Sequence, residues 1–480
     1  MQSIVGSVAE VAQEFGENIA IVDGDRRIKF RELLPAASAL APLLAQVPVK
    51  NVGILLPTSF GFVQTFLAAQ VSGKTPVPLN FFLPPEAIAH IAADAQLDTV
   101  ITTKGLGRLV PEKTRKVLLE EVAPSLKADA SFLDPLPSGP EPAVILYTSG
   151  TTGSPKGVML SQGNLLANAL ASRAHYQIDE SYCILGILPL FHTFALVVTM
   201  LLPLLAGAKV VYLPTFAAPA ALEAACAEKV NTAVAVAPIY RLFIRSKLQG
   251  DYDTSSVRIA IAGGGPVTLD LGEAFERAFG IPLLEGYGLT EAACVVSANP
   301  PEKNKQGTAG VPLGNVELKI MDDQGRELPS GEDGAICVKG PCVMQGYLNR
   351  PDETSQVLSP DGWLNTGDIG HLDAEGYLTI TGREKELIKT GGENVWPQDV
   401  EDVLESHEEV AEAAVKAVPD KLRGEVPKAF VVLKEGAKVT EAALRDFCRK
   451  SLAPYEVPRY IEFRESLPKG PTGKILKRAL

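Results

Sequence analysis

A short segment rich in hydroxyls and glycines, residues 149–156, has the residue types that bind a polyanion. It follows the apolar run "AVILYT" and reads "SGTTGSPK". Small side chains leave backbone amides accessible, hydroxyls donate hydrogen bonds, and Lys156 supplies a cation. The segment departs from the phosphate-loop motif G-x4-G-K-[ST], because Pro155 and Gly157 occupy two of the required positions. We therefore predict a flexible loop that wraps a phosphate chain without using the end of a helix.

Two later motifs add groups suited to a ring and a diol. In "EGYGLTE" (285–291) the glycines allow close backbone approach, and Tyr287 can stack on a flat base. In "GWLNTGD" (362–368), Asp368 has two acceptor oxygens, enough for two ribose hydroxyls. Taken singly, each motif is also compatible with an ordinary turn that carries a solvated carboxylate.

The elements that must position these residues alternate along the first three hundred residues. Strand-like runs such as "NVGILLP", "DTVITT" and "RIAIAGGG" are separated by helical patterns such as "GFVQTFLAAQVSG". This alternation predicts an α/β fold with layered, largely parallel sheets. From about residue 307 the pattern favours antiparallel hairpins, and the tail predicts a helix over 398–406, strands near 412–418 and 428–433, and a helix over 440–451.

The predicted organisation is a large N-terminal domain and a small C-terminal one. Residues 1–384 form layered α/β subdomains plus a β-rich subdomain, and residues 385–480 form a small mobile α+β domain. The division near Lys385 leaves about 95 residues in the second domain, an ordinary size for a compact unit.

Composition excludes several function classes. The 480 residues are 46% hydrophobic with a formal charge of −12, which argues against a nucleic-acid binder. The six cysteines form no CxxC pair and the five histidines are scattered, so we expect reduced thiols and no zinc site.

One uncharged stretch, residues 181–208, is long enough to cross a bilayer. Pro189 and Pro203 divide it, and its ends resemble short buried strands, so we predict a strand, a buried helix from about Thr193 and a second strand. The first 18 residues lack the basic and apolar regions of a secretory signal. We therefore expect a cytoplasmic protein without an integral membrane segment.

Five motifs in order resemble the adenylate-forming superfamily of acyl-CoA synthetases, luciferases and peptide-synthetase adenylation domains. They are "YTSGTTGSPKG" (147–157), "EGYGLTE", "GWLNTGD", "GREKELIKTGGENVWP" (382–397) and "PTGKILK" (471–477). The resemblance runs from about residue 20 to the last residue and is greatest for acyl- and aryl-CoA ligases. It implies that ATP and Mg²⁺ activate a carboxylic acid to an acyl-adenylate with release of pyrophosphate. The acyl group then passes to the thiol of CoA.

The resemblance also implies residue roles for adenylation. Lys474 bridges the substrate carboxylate and the α-phosphate, Thr290 contacts the α-phosphate, and Glu291 binds the magnesium ion. Tyr287 lies in the adenine pocket, and Asp368 with Arg383 binds the ribose. The implied nucleotide site comprises Thr148, Ser149, Gly150, Thr151, Thr152, Gly153, Lys156, Gly264, Gly265, Glu285, Gly286, Tyr287, Gly288, Asp368 and Arg383. A basic tail such as that around Lys474 is otherwise usually only solvated.

For thioester formation the resemblance implies a rotation of the small domain about a hinge at Lys385. The rotation removes Lys474 and brings in the loop that contains Lys389, Gly391 and Gly392. The two glycines would admit the thin pantetheine arm of CoA, and a hinge needs only a few residues able to change φ and ψ.

By the same resemblance, the segments 191–195, 236–240, 262–265 and 290–296 line the acid pocket. Its predicted residues are His192, Phe194, Val236, Ala237, Gly263, Ala292 and Ala293. Relatives that activate amino acids carry an Asp near the "FHTF" position, and this chain has none, so an ammonium group there would be unpaired. The small residues leave room for a slender chain, which favours a medium- or long-chain fatty acid over an aromatic acid. His192 either orients the carboxylate or shapes the entrance, or is an ordinary half-buried histidine with satisfied hydrogen bonds.

Other readings remain open. They are an aryl-acid CoA ligase, a ligase that stops at the acyl-adenylate or loads an acyl carrier protein, and a nucleotide-binding relative without catalytic activity. The presence of Lys474, Glu291 and Asp368 argues against the last. The chain is compatible with a monomer or a homodimer.

Overall fold

The computed structural model describes residues 3–134, 136, 138–148, 155–391, 393–469 and 475–480. The strands are β1 (Ile19–Asp23), β2 (Arg26–Lys29), β3 (Asn51–Leu55), β4 (Thr75–Pro78), β5 (Thr99–Thr102), β6 (Arg115–Leu118), β7 (Val144–Thr148), β8 (Lys156–Leu160), β9 (Cys183–Gly186), β10 (Lys209–Tyr212), β11 (Thr232–Ala235), β12 (Ile259–Ala262), β13 (Leu284–Leu289), β14 (Cys294–Ala298), β15 (Val311–Pro312), β16 (Glu317–Met321), β17 (Gly334–Lys339), β18 (Gly346–Tyr347), β19 (Leu364–Leu372), β20 (Leu378–Arg383), β21 (Ile388–Thr390), β22 (Glu393–Val395), β23 (Val410–Asp420), β24 (Gly424–Leu433) and β25 (Tyr460–Phe463). The α-helices are α1 (Ile4–Phe15), α2 (Phe30–Ala45), α3 (Phe60–Val71), α4 (Pro85–Asp94), α5 (Leu119–Val122), α6 (Gln162–His175), α7 (Leu202–Ala206), α8 (Ala218–Glu228), α9 (Ala237–Gln249), α10 (Leu269–Phe279), α11 (Pro351–Val357), α12 (Pro397–Glu405) and α13 (Glu441–Cys448).

The chain divides into two compact units. The first contains Met1–Leu318 and Val338–Leu364, and the second contains Lys319–Cys337 and Asn365–Leu480. The assignment of the nucleotide and acid pockets to residues 1–384, and of a mobile domain to residues 385–480, stays a prediction.

The first unit is built around a nine-stranded sheet in the order β15-β14-β13-β12-β11-β9-β10-β1-β2. Its middle strands are parallel, and β2, β14 and β15 pair antiparallel at the two ends. Strands such as Ile259–Ala262 are buried on both faces, as parallel strands covered by helices must be. Tyr240, Phe243 and Phe275 from α9 and α10 pack into the core beside this sheet.

Two smaller sheets complete the first unit. A parallel sheet has the order β4-β3-β5-β6, and an antiparallel one has the order β18-β8-β7. Ile145 of β7 packs into the same cluster as Val77 and Val100 of the parallel sheet. The helix α6, which follows β8, begins at the N-cap Ser161, whose hydroxyl accepts from the amide of Asn164 in a capping box.

The second unit contains most of the sheet β16-β17-β19-β20 and a five-stranded sheet ordered β22-β21-β24-β23, with β25 also paired to β24. The helices α12 and α13 cover the five-stranded sheet, and Val400, Leu404 and Leu444 lie in its core. The α/β class with a smaller α+β C-terminal part is thus confirmed. The strands at 388–390, 393–395 and 460–463 were not predicted, because three or four residues are too few to show a period.

The uncharged stretch folds as predicted into a strand, a buried helical segment and a strand. β9 and β10 flank a π-helix at Ala195–Leu201, which continues into α7. Among the residues that the structure describes, no helix is both long enough and apolar enough to span a bilayer. All six cysteines are free thiols.

Candidate active site

The predicted phosphate loop connects two strands that pair with each other. β7 and β8 pair antiparallel, and Thr148 is opposite Lys156 at the last pair before the loop. This pairing fixes both ends of the loop close together. Ser149, Gly150, Thr151, Thr152 and Gly153 lie outside the described residues, so their predicted contacts with phosphate stay predictions.

Lys156 contacts two side chains that were not predicted from the sequence. Its ammonium group forms an ion pair with Glu353 of α11 and lies 5.0 Å from the ring centroid of Tyr347. Arg350 binds the same Glu353 carboxylate, with its Nε 3.4 Å from Oε1. The lysine side chain is mostly buried, so its orientation at the base of the loop is well defined by these contacts.

Tyr347 connects Lys156 to the predicted magnesium carboxylate. The phenol hydroxyl donates to Oε1 of Glu291 at 2.9 Å, and the amide of Met344 donates to the Glu291 carbonyl at 2.8 Å. The short strand β18 places Tyr347 opposite Val158 of β8, two residues beyond Lys156. Tyr347 was missed because "GYLNRP" looks like an ordinary turn, and only tertiary pairing brings its hydroxyl to Glu291.

The "EGYGLTE" motif forms most of β13 rather than a loop. Tyr287 is opposite Ser297 of β14, and the register shifts between Tyr287 and Gly288. A Cβ on Gly288 would lie 1.6 Å from the carbonyl oxygen of Cys294, so this position requires glycine. The two strands therefore approach closely beside Tyr287, at the place where the motif turns toward Glu291.

The turn that carries Thr290 and Glu291 is held from two sides. The hydroxyls of Thr193 and Thr290 are hydrogen bonded at 2.9 Å. Buried Asn168 of α6 donates to the carbonyls of Ala292 and Val295, at 3.3 and 2.7 Å, and accepts from the Val295 amide at 3.1 Å. These contacts are needed because Ala293 has a φ of 54°, a backbone conformation that alanine adopts only under constraint. Asn168 and Thr193 were not predicted, since neither belongs to a motif with a chemical signature.

The segments predicted to line the acid pocket do come together. The hydrogen bond between Thr193 and Thr290 joins two of them. The ring of Phe194 lies 3.0 Å from the place of a Cβ on Gly263, and Val236 lies 3.6 Å from that of Gly264. Ala292 and Ala293 are fully buried, and the room predicted for a slender chain beside these residues stays a prediction. Val236 precedes Ala237, the first residue of α9.

His192 is a neutral group in the structure. Burial lowers its pKa to about 4. Its Nε2 is buried and has no hydrogen-bond partner among the described residues, and the role of His192 stays a prediction. The imidazole packs against Phe191, with the ring centroids 4.6 Å apart. A neutral imidazole can donate or accept one hydrogen bond at Nε2, but it does not attract a carboxylate as a cation would.

We expect the buried imidazole of His192 to make the stability of the folded chain depend on pH. Because its pKa in the folded chain is below that in the unfolded chain, acid protonates the unfolded chain first. The free energy of unfolding should therefore decrease as pH is lowered from about 6.5 towards 4. Histidine NMR titration of the wild type and His192→Gln identifies the resonance. A pKa above 6 for that resonance would contradict the burial argument.

Glu285 holds the glycine loop instead of facing outward. Its Oε2 accepts from the amide of Val267 at 3.0 Å, and its carbonyl accepts from the amide of Asn299 at 2.9 Å. Burial raises the pKa of Glu285 to about 7. Gly264 has a φ of 78°, and the place of a Cβ on Gly265 has no described heavy atom within 4 Å. Both glycines are exposed, and their contact with the adenine stays a prediction.

In the second unit, Asp368 and Arg383 form the predicted pair. They are opposite each other in β19 and β20, with the Arg383 Nε 3.0 Å from Oδ1 of Asp368. Asp368 is 5% exposed, whereas the Arg383 side chain is half-exposed. Thr366 accepts from the Asp368 amide at 3.1 Å and fixes the turn before it.

The residues predicted for thioester formation lie directly after this pair. Lys385 is in a 3₁₀ turn, Glu384–Glu386, and Lys389 is exposed in β21. Gly391 has a φ of 63°, and its amide donates to the Arg423 carbonyl at 2.9 Å. Gly392 and Lys474 lie outside the described residues. Their roles and that of the hinge stay predictions.

The described residues suit a magnesium ion that is bound jointly by the protein and a phosphate chain. They do not suit a metal ion that is bound by protein side chains alone. The described part of the chain has no group of three or more side chains able to bind a metal ion together. Mg²⁺ usually binds one or two carboxylates together with phosphate oxygens and water. Glu291, at the end of the hydrogen-bonded network with Tyr347, fits that pattern as the carboxylate beside a bound phosphate chain.

Comparison with known proteins agrees with this geometry. Residues 8–348 match the family described as AMP-binding enzyme, and residues 399–474 match the AMP-binding enzyme C-terminal domain. The chain is 34% identical to a long-chain-fatty-acid–CoA ligase of Bacillus subtilis, covering 100% of this chain and 94% of the relative. It is 36% identical to a 2-succinylbenzoate–CoA ligase of Geobacillus kaustophilus, covering 97% and 94%. The o-succinylbenzoate CoA synthetase of Bacillus subtilis, solved with ATP and magnesium, has a TM-score of 0.88 at 31% identity, covering 99% and 98% of the two chains.

Proposed function

This chain belongs to the AMP-binding enzyme family and is an AMP-forming acid–thiol ligase, and we propose that its acid is a medium- or long-chain fatty acid. It uses ATP, Mg²⁺ and CoA. The observation that carries the proposal is the network in which Tyr347 joins Lys156 to Glu291, together with predicted acid-pocket residues that carry no formal charge.

In the first half-reaction, one carboxylate oxygen of the acid attacks the α-phosphorus of ATP. A phosphorus–oxygen bond forms and the bond to pyrophosphate breaks. Lys156 exchanges its pairing with Glu353 for the phosphate chain, and Thr290 donates to the α-phosphate. Asp368 holds the ribose. Glu291 supplies a carboxylate oxygen for magnesium, which neutralises charge on the phosphates when bound.

In the second half-reaction, the thiol sulfur of CoA attacks the acyl carbon. A carbon–sulfur bond forms, AMP leaves, and the thiol proton passes to solvent. Lys389 and Gly391 lie on a β21–β22 hairpin that is suited to guide the pantetheine arm, because glycine leaves the backbone uncovered there.

The chemistry of the pocket wall supports an acid with an apolar tail. His192 is neutral, and the other predicted wall residues are Phe194, Val236, Ala237, Gly263, Ala292 and Ala293, none of them charged. A second carboxylate or an ammonium group on the substrate would have no counter-charge among these residues, and burying an unpaired charge is costly. A hydrocarbon chain meets no such penalty.

An aromatic acid is the second candidate, and one observation favours it. The Phe194 ring lies 3.0 Å from the place of a Cβ on Gly263, and it offers a face on which a flat ring can stack.

The test is acid-dependent ATP–pyrophosphate exchange with octanoate, dodecanoate, benzoate, malonate and phenylalanine. We expect exchange with the two fatty acids to exceed that with malonate and phenylalanine by at least about 100-fold, since each unpaired charge costs several kcal/mol. Faster exchange with benzoate would select the second candidate. Thioester formation with CoA and with a phosphopantetheinyl carrier protein then identifies the acceptor, and absence of exchange with every acid would refute the proposal.

Tyr347→Phe should weaken magnesium-dependent ATP binding. The phenol orients the Glu291 carboxylate, and loss of such an orienting hydrogen bond typically costs about tenfold or more in metal affinity. Calorimetric titration of ATP at a series of Mg²⁺ concentrations measures the shift, with Tyr212→Phe as the matched control because its buried phenol donates to the Thr199 carbonyl at 3.0 Å. An equal loss of ATP affinity with and without Mg²⁺ would show that the hydroxyl acts on the fold and not on Glu291.

A further inference from the structure

A buried carboxylate in the second unit has no part in the mechanism above. Glu401 of α12 is 6% exposed, and its Oε1 lies 2.8 Å from the ammonium nitrogen of Lys477. The same ammonium group lies 2.8 Å from Oε2 of Glu386. Glu401 also accepts from the Val415 amide of β23. One lysine therefore joins a helix, a strand and a turn that are distant in sequence.

The ion pairs of Lys477 link two segments that have predicted roles in catalysis. Glu386 directly follows Lys385, the predicted hinge residue, and lies in the same 3₁₀ turn. Lys477 is three residues beyond Lys474, the predicted catalytic cation. The ion pairs thus connect the turn at the predicted hinge to the segment that carries the cation.

Other contacts attach the same tail to the second unit. Ile475 pairs with Lys469 in an isolated β-bridge and packs beside Phe430, and the Leu476 amide donates to the Pro468 carbonyl at 2.7 Å. Lys416 donates to the Leu480 carbonyl at 2.7 Å. The residues on both sides of 470–474 are therefore fixed to one another. Among these attachments, Lys477 is the one that reaches the turn at Lys385.

We propose that Lys477 is a positioning residue for adenylation, which attaches residues 475–480, directly after Lys474, to the turn at Lys385. The inference rests on the proposed function, because only an adenylating enzyme uses Lys474 in this way. Lys477 itself does not touch the reacting atoms.

The electrostatics support a locked arrangement. Burial opposes the charge of Lys477, but the Glu401 and Glu386 carboxylates outweigh it and raise the lysine pKa. Burial raises the pKa of Glu401 to about 7, although Lys477 acts in the opposite direction. Removal of the lysine would leave the Glu386 and Glu401 carboxylates without this cation. The ion pair that attaches the tail to the turn would then be lost.

Half-reaction kinetics test the proposal, because Lys474 acts in only one half. The variants are Lys477→Met, Lys477→Arg and Glu386→Gln. ATP–pyrophosphate exchange is measured with dodecanoate, or with benzoate if the wild type activates only that acid. Thioester formation is measured separately, from CoA and the supplied acyl-adenylate of the same acid. We expect Lys477→Met to lower exchange about 100-fold, as misplacement by about 1 Å does, while thioester formation changes less than about threefold. Lys477→Arg should restore most of the exchange rate.

Two variants keep the test independent of folding. Glu386 is more than one-third exposed, so Glu386→Gln should leave the melting temperature unchanged and still lower exchange about tenfold. Arg449→Met removes an exposed pair with Asp446 in the same unit and should leave both half-reactions unchanged. Equal loss of both half-reactions in Lys477→Met, or no loss in Glu386→Gln, would overturn the inference while the wild type stays active. A wild type without exchange for any acid would overturn the proposed function first, and this inference with it.

Discussion

Replacing Lys474 by alanine should lower acid-dependent ATP–pyrophosphate exchange by about 10²–10³-fold, while thioester formation from supplied acyl-adenylate is largely kept. The lysine is proposed to neutralise charge that develops as the carboxylate attacks phosphorus. Removing one group that stabilises a transition-state charge usually costs about this much. The second half-reaction develops its charge on the acyl group, after the phosphorus–oxygen bond has formed, so the proposed lysine contact has little effect there. Stopped-time assays of the two half-reactions, at saturating ATP and CoA, measure both rates.

The control for Lys474→Ala is Arg449→Ala, which removes another cation from the same unit but directly follows α13 and forms an exposed pair with Asp446. It should leave exchange unchanged. If Lys474→Ala slowed both half-reactions equally, the prediction that each half-reaction uses its own arrangement of the small domain would be wrong.

Gly288→Ala should have the second large effect, through sterics and not through charge. The new Cβ would lie 1.6 Å from the Cys294 carbonyl oxygen and 2.6 Å from its carbon. Backbone atoms cannot rotate away as a side chain can, so β13 and β14 must separate, at a cost of about 3 kcal/mol or more. Tyr287 and Glu291 lie on either side of this contact and would both move. We expect exchange to fall about 100-fold or more, with a lower melting temperature.

Gly314→Ala is the matched control for Gly288→Ala. A Cβ there meets no heavy atom within 4 Å among the described residues, and its φ lies outside the positive range that alanine resists. Its exchange rate and melting temperature should equal those of the wild type. A Gly288→Ala enzyme with normal stability and normal exchange would show that β13 and β14 are not held together as closely as the structure describes.

Much of the architecture was predictable because it depends on local patterns. The buried strands at 144–148, 232–235 and 259–262 coincide with apolar runs of four or more residues bounded by turn residues. The antiparallel pair that places Asp368 opposite Arg383 follows from two strands joined by a short turn. The order of five motifs also identified the family, since each motif retains residue types that its chemistry requires.

The short strands and the supporting contacts were not predictable from local patterns. β18 has two residues, and its pairing with β8 is determined by chain segments almost two hundred positions apart. The role of Asn168 depends on backbone carbonyls beyond residue 290, which no periodicity in α6 indicates. The π-helix at Ala195–Leu201 is likewise a product of packing, because its apolar sequence suits an ordinary α-helix equally well.

By itself, the sequence determined the chemical groups available: the lysines, the carboxylates, the glycines that allow close approach and the absence of charge among the predicted acid-pocket residues. Tertiary structure alone decided how these groups are arranged. It directed the Tyr347 hydroxyl to Glu291, packed Phe194 against Gly263, and buried His192, which lowers the pKa of its imidazole. The physical reason is that a residue's type is a property of one position, whereas its orientation, packing and protonation depend on neighbours that only folding brings near.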